Sequence, residues 1–519
     1  MNKKFVAFVV SFVSFSSLFA QEPVDALRFS WLPSHGTART QAIGGATTGL
    51  GGDITAVYSN PAGLGMYKTS EFVLTPGMTF TDNKSTYRGS TASDGRSSFN
   101  YGPVGLVYAM PSYRDSKWKG SALGISISRA ASFSNRIYTS GSNNQSSFSE
   151  KYLDQLIRNN ATNLDDAVWD YPYGASLGLN TFLIDPTFDN DGKLTGYASN
   201  ASVSTGLNQR QAIDTKGNIS DFAIGLGSNY NDIFYLGGSL NINTLSYSRT
   251  STFTESDATT DTDNDFNYFT AIDYLKTDGV GASIKLGIMA KPTEALRVGL
   301  SFHSPSWYSF KDTYTADLVT DTEGYEGVKR QSSLDLNEGY AGEFNYRYRT
   351  PMKLALGASY FFGTLGDVKT QNGFISADVE YVDYRQANMS AQNSNTADKE
   401  YFQSLNNTID QVFKSAVNAR IGGELKFETV MVRAGFAYYG NPYTNTFFYN
   451  NPGHTVAASR TSVTGGLGWR NKGMFVDLAC VYQMIKDGYY PYELDTTEFD
   501  IARIKANQVN VLLTLGFKF

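Results

Sequence analysis

At the C-terminus, Asn507, Val509, Val511, Leu513, Leu515, Phe517 and Phe519 fall on one side of an extended chain. Gln508, Asn510, Leu512, Thr514, Gly516 and Lys518 fall on the other. The first set is almost wholly apolar and the second mostly polar. A repeat of two marks a strand with one face in an apolar medium. The same pattern gives fourteen candidate strands. They are 71–80, 100–110, 120–134, 220–230, 233–249, 279–290, 295–315, 341–362, 372–385, 417–428, 430–440, 460–470, 473–485 and 506–519. Pro351 interrupts the span 341–362. Proline cannot donate to a ladder, so a bulge or distortion is expected there.

The connections between these strands sort by length. Those at 231–232, 291–294, 429 and 471–472 are tight, and 111–119 and 363–371 are moderate. Those at 81–99, 135–219, 250–278, 316–340, 386–416, 441–459 and 486–505 are long. Long and short alternate if 341–362 is one strand, and an even strand number brings both ends to the short-turn side. An outer-membrane barrel has this form. In hydrocarbon every backbone N–H and C=O must be paired internally, which favours closure. Tyr101, Tyr108, Phe234, Tyr235, Trp307, Tyr308 and Trp469 are aromatic residues of the kind found at membrane interfaces. The expectation is an all-β protein, a fourteen-stranded antiparallel transmembrane β-barrel over residues 71–519 with long extracellular loops.

Residues 21–70 alternate poorly. Thr40–Gly52 is small and nearly uncharged, and Gly44, Gly45, Gly49, Gly51 and Gly52 permit close backbone approach. Ala56–Tyr58 is read as one helical turn ended by Asn60 and Pro61. A plug inside the barrel is the expectation for this segment. Residues 1–20 have a basic start at Lys3 and Lys4, an apolar core from Phe5 to Leu18, and a small residue before Gln21. They read as a signal peptide.

Composition narrows the function. Charged residues are 18%, below the roughly 25% of a soluble globule, while aromatics reach 14%. Disorder is excluded. The net charge of -6 argues against a nucleic-acid binder. Cys480 is the lone cysteine, so neither a disulfide scaffold nor a cysteine metal cluster is available. His35, His303 and His454 are scattered, and there is no GxSxG setting. No catalytic residues, metal site or cofactor are assigned. Asp257, Asp261, Asp263 and Asp265 superficially resemble a calcium loop. Counting from Asp261, Phe266 and Ile272 stand where an EF-hand needs Gly and Glu, so the run reads as a solvated loop.

The stretch Ala38, Arg39, Ala42, Gly44, Gly45, Ala46, Asp53, Ala56 and Asn60-Pro61-Ala62-Gly63-Leu64 resembles the start of the FadL/TodX family. That family comprises outer-membrane transporters for long-chain fatty acids and other hydrophobic compounds. Leu296-Arg297-Val298-Gly299-Leu300 with Ser304-Pro305, and Thr350-Pro351 with Leu354, Leu356-Gly357-Ala358 and Tyr360, are similar to further family stretches. The resemblance implies an N-terminal luminal hatch. Asn60, Pro61, Ala62, Gly63, Gly44, Gly45 and Asp53 would gate it. It also implies passive uptake of a hydrophobic small molecule across the bacterial outer membrane, with lateral exit through the wall. Outer-membrane lipid and lipopolysaccharide would surround the barrel. The alternative is an interaction protein on the same fold, serving protein secretion or surface attachment through a partner at the outer loops.

Two loop segments carry helical periodicity. Phe148, Tyr152, Leu153, Leu156 and Ile157 form one apolar face, a candidate landing groove for ligand. Phe402, Leu405, Ile409, Val412 and Phe413 form another. Arg39 is the leading candidate for an anionic head group, followed by Arg28, Arg297, Arg347 and Arg349.

Overall fold

In a computed structural model, the described residues are 23–112, 116–259, 261–363, 371–444, 458–495 and 500–519. Residues 1–20, expected to be a signal peptide, and His454 lie outside them. Fourteen strands form the wall. They are β1 (Glu71–Leu74 and Pro76–Tyr87), β2 (Ser90–Tyr101 and Val104–Pro111), β3 (Trp118–Ser132 and Asn135–Asn143) and β4 (Leu207–Tyr230). Next come β5 (Phe234–Asp257), β6 (Tyr268–Ala290), β7 (Leu296–His303 and Trp307–Asp321) and β8 (Gly342–Arg349 and Lys353–Gly363). The ring continues with β9 (Gln371–Asp383 and Asn388–Ala391), β10 (Ser415–Phe427) and β11 (Val430–Tyr439). It ends with β12 (Ser459–Asn471), β13 (Met474–Tyr489) and β14 (Ala502–Lys518). Each pairs antiparallel with its neighbour, and β14 returns to β1 through Phe72↔Phe517 and Met78↔Val511. The ring thus closes on itself, as a strand wall in hydrocarbon requires, with its pairing interrupted between the upper parts of β2 and β3.

The side-chain alternation is inverted relative to a soluble protein. On β5, Leu236, Leu240 and Ile242 are exposed, while Ser239, Asn241 and Asn243 are buried. On β6, Val280, Ile284, Leu286 and Ile288 are exposed and Ser283 and Lys285 are buried. Beyond Asn243 the polarity of β5 switches. Leu245, Tyr247 and Phe253 are now buried, and Thr244 and Ser246 are exposed. From Phe234 to Ile242 the strand climbs roughly 20 Å at ~3.3 Å per residue and ~40° tilt. The switch therefore marks the upper edge of the hydrocarbon.

The expected loop at 81–99 is instead strand, with a turn at Arg88-Gly89. Strands β3 to β6 likewise run well past the bilayer. Ser90–Arg96 is polar on both faces because both are wet there, so alternation fades while pairing continues. The interruption expected at Pro351 is present between Arg349 and Lys353. Pro103 and Pro305 break β2 and β7 in the same way.

The outer half of the barrel holds an aromatic core. Phe29 and Trp31 from the N-terminal segment pack with Tyr247, Phe310, Tyr348 and Phe402. Phe402, Leu405, Ile409 and Phe413 are buried on or just after the loop helix Thr396–Val412. Consecutive aromatics split between faces. Phe234 and Trp307 are exposed, and Tyr235 and Tyr308 are buried.

Candidate functional site

Residues 23–67 form only four short helices, Pro23–Arg28, Ala38–Ala42, Ile54–Val57 and Pro61–Met66, so many of their backbone groups need partners elsewhere. The polar face of the wall supplies them. Tyr348 donates to Ala26 O at 2.6 Å, and Arg460 to Trp31 O at 2.9 Å. Ala38 N donates to Thr514 at 2.7 Å, and Thr464 donates to Ala42 O at 2.8 Å. Thr47 N and Thr48 N both donate to Asp378 Oδ2, at 2.8 and 2.9 Å. Arg297 donates to Leu50 O and Ser239 to Val57 O, each at 2.9 Å.

Asn60 is almost fully buried. Its Nδ2 donates to Thr48 O at 2.8 Å and to Ile288 O of β6 at 3.4 Å, and its Oδ1 accepts from Ala62 N at 3.2 Å. It caps the short helix Pro61–Met66, with Pro61 at the first position. The Asn60-Pro61 pair thus begins a helix, whereas the sequence reading has it ending one. The earlier turn is Ile54–Val57, capped by Asp53, which accepts from Thr55 N at 2.9 Å and from Thr37 Oγ1 at 2.9 Å.

The wall is thinned where this motif rests. A Cβ at Gly237 would overlap the Pro61 carbonyl, and one at Gly287 would overlap Asn60 Oδ1. These two glycines face each other across β5 and β6. On the opposite side Gly44, with φ +69°, presses its backbone against Phe436, and Gly45 follows with φ +76°. Ala62 is buried, and Gly63 packs on Gly51.

Arg39 is held by charge. Its Nε lies 3.4 Å from Glu424 Oε2. Arg433, with a fully buried side chain, bridges Glu424 and Asp477 at 2.6 Å each. Arg39 also lines a hollow of about 440 Å³ near the short turns, with Phe374, Arg470 and Lys518.

A larger cavity of about 860 Å³ lies above the segment. Leu27, Trp31, Leu32 and His35 border it, with Tyr101, Phe133, Tyr247 and Tyr443 from the wall and outer loops. Three of its guanidinium groups rest on aromatic faces. Arg28 sits 4.8 Å from the Tyr247 ring centre, Arg129 4.8 Å from Tyr101, and Arg460 4.1 Å from Trp31. Arg28 also pairs with Asp25. Of the arginines singled out from sequence, Arg28 alone borders this cavity. Arg347 and Arg349 are exposed, and Arg297 lies over Phe361 at 4.1 Å. Arg129 and Arg460 sit in ordinary strand patterns, and only the fold brings them to the cavity.

One lip of the cavity is a seam. Strands β2 and β3 pair only from Val104↔Ile127 to Pro111↔Gly120. Above Pro103, upper β2 pairs with β1, and upper β3 pairs with β4. Side chains cross the gap instead. Arg129 donates to Phe99 O at 2.5 Å, Asn83 donates to Asn135 Oδ1 at 2.6 Å, and Arg96 pairs with Asp214. Asn100, Tyr101 and Gly102 on one lip, and Ala130 and Ala131 on the other, border the cavity.

The helix expected after Phe148 is Glu150–Arg158. Phe148 borders the cavity and stacks on Phe253 at 4.7 Å. Tyr152 and Leu156 are buried in the outer-loop core, Leu153 packs against it, and Ile157 is exposed. Asp257 and Asp261 accept from nearby backbone amides within their own loop.

His35 packs against Tyr58 with ring centres 5.1 Å apart. Burial pushes its imidazole down from 6.5 to about 4; Asp221 opposes the shift, while Lys285 and Lys353 add to it. A depressed imidazole favours the docked segment fully above pH 6.5, and this contribution is lost as pH falls toward 4. Proteolysis within residues 23–67 should therefore rise across that window. The rise should be weaker in His35→Gln. A pH profile identical in both proteins would refute this.

Residues 200–518 match the family described as Outer membrane protein transport protein (OMPP1/FadL/TodX). No curated protein matches the chain. Among solved structures, a Pseudomonas aeruginosa FadL homologue is 15% identical with a TM-score of 0.57, over 94% of this chain and 100% of that one. The P. putida toluene transporter TodX is 14% identical with a TM-score of 0.50, over 94% and 99%. The Ralstonia pickettii toluene transporter TbuX is 13% identical, also at 0.50, over 94% and 99%. At these identities the likeness concerns the fold.

Proposed function

The chain belongs to the outer membrane protein transport family (OMPP1/FadL/TodX), and from that premise we propose how this member works. It is a multi-pass protein of the outer membrane that passes hydrophobic small molecules across it passively. Residues 1–20 are a cleaved leader, 21–70 a luminal hatch, and 71–519 the wall. Ligand collects among the outer loops, where the helix after Phe148 contributes to the entry. It then settles in the cavity above Trp31. The hatch, anchored by Asn60, Pro61, Ala62, Gly63, Gly44, Gly45 and Asp53, closes the barrel below. The seam between β2 and β3 is the lateral exit.

The observation that carries this reading is a cavity of about 860 Å³, within the range of small-molecule sites, bordered by aromatics and adjoining an unpaired stretch of wall. The aromatic faces suit an apolar body, and the stacked guanidinium groups suit a polar end. Long-chain fatty acids and aromatic hydrocarbons are the substrate classes to test first. The reading assigns no catalytic step.

Ala130 is buried at the lip of the seam. Ala130→Trp should fill the cavity there and lower uptake of a labelled fatty acid or aromatic at least tenfold, with the ring still folded. Mass spectrometry of the purified wild type should find a retained apolar molecule that the variant lacks. An empty cavity, unaltered uptake and a protein bound stably at the outer loops would instead support the interaction reading.

A further inference from the structure

We propose that Lys84, Lys486 and Lys505 form a site on the outside of the wall for a phosphate-bearing glycolipid of the outer leaflet. The inference uses the outer-membrane placement and stands apart from the transport route.

The three lysines lie on β1, β13 and β14. Lys84 is directly opposite Lys505, and Lys505 is directly opposite Lys486. Residues directly opposite share a face, and all three side chains are exposed. Neighbouring Cβ atoms in such a row are ~5 Å apart, and like charges placed so repel. None of the three forms an ion pair among the described residues, nor does Asp82 one row below. A bound anion would relieve the repulsion, and each ammonium offers three donors to it.

Height on the wall identifies the anion. Phe72, Phe517 and Met474 form the lowest exposed apolar row on the same strands. Twelve residues of β14 separate Phe517 from Lys505. At ~3.3 Å per residue and ~40° tilt this is roughly 30 Å of height. The apolar band of such barrels is ~25 Å tall. The lysines therefore stand just above the hydrocarbon on the long-loop side, where lipid head groups lie. Two rows below, past Asp82, Asn507 and Met484, the residues Phe80, Val509 and Tyr482 form an apolar row facing the acyl chains. A soluble anion would have no use for that row, whereas a lipid meets both.

The test uses the mature protein in mild detergent, with diphosphorylated lipid A and its dephosphorylated form as probes. Each lysine near a charged lipid surface is worth ~1 kcal/mol, or roughly fivefold. The triple variant Lys84→Gln, Lys486→Gln, Lys505→Gln should bind the phosphorylated probe on the order of a hundredfold more weakly, and each single variant roughly fivefold more weakly. Wild type should prefer the phosphorylated probe, and the preference should shrink with salt. Uptake of apolar tracer should be unchanged, because these side chains face away from the cavity. Equal binding by wild type and the single or triple variants, or by both lipids, would overturn the proposal.

Discussion

Replacing Asn60 with alanine should free the N-terminal segment from the wall while the ring stays assembled. Asn60 makes two donated bonds and one accepted bond at a site closed to water. Alanine removes the helix cap, worth ~1 kcal/mol, and leaves buried backbone groups unpaired at ~1–3 kcal/mol each. A net loss of about 3 kcal/mol raises the undocked fraction roughly a hundredfold. The wall's ladders do not depend on Asn60, so heat-modifiable gel migration should persist. Protease cleavage in the Gly44–Gly52 run should appear, and small hydrophilic dyes should leak through the barrel. Asn60→Asp keeps the cap but loses the donated bonds, so it should fall between. Gly237→Val should reach the same leaky state from the other side, because its side chain occupies the place of the Pro61 carbonyl. A tight, protease-resistant barrel in both Asn60→Ala and Gly237→Val would defeat the hatch.

The wall was legible because hydrocarbon outside and polar contacts inside force a repeat of two on every crossing. The segments outside the bilayer were not. Ser90–Arg96 has water on both sides, so nothing in its pattern marks it as strand. On β5 the apolar positions change faces after Asn243 without losing their period, so the strand's full length is hidden from a reading that fixes one face as apolar. In the N-terminal segment the Asn60-Pro61 pair carried a start signal, since Asn caps and Pro opens helices. Taking proline as a stop reversed its direction. Arg39 stood out as a cation, but its partner Glu424 lies far along the chain and alternates like any inward residue. The glycines under the Asn60-Pro61 turn are equally mute in sequence, because a strand glycine has meaning only once the backbone pressed on it is known.

Arg433→Met should be the most damaging single change in the wall. The Arg433 side chain has no solvent exposure and holds Glu424 on its own strand pair and Asp477 on β13. Breaking a buried ion pair by removing one partner costs ~3–5 kcal/mol, because the surviving charges stay desolvated. Here two carboxylates would be stranded. Arg39 reaches Glu424 from the N-terminal segment at 3.4 Å, which leaves Asp477 with the larger loss. The temperature at which the folded gel band converts should drop sharply, with the N-terminal segment released first because Arg39 shares the network. Adding Glu424→Gln and Asp477→Asn to Arg433→Met removes the stranded charges and should restore most of the lost stability. A triple variant no better than the single one would mean that packing by the guanidinium, rather than its charge, holds this part of the barrel together.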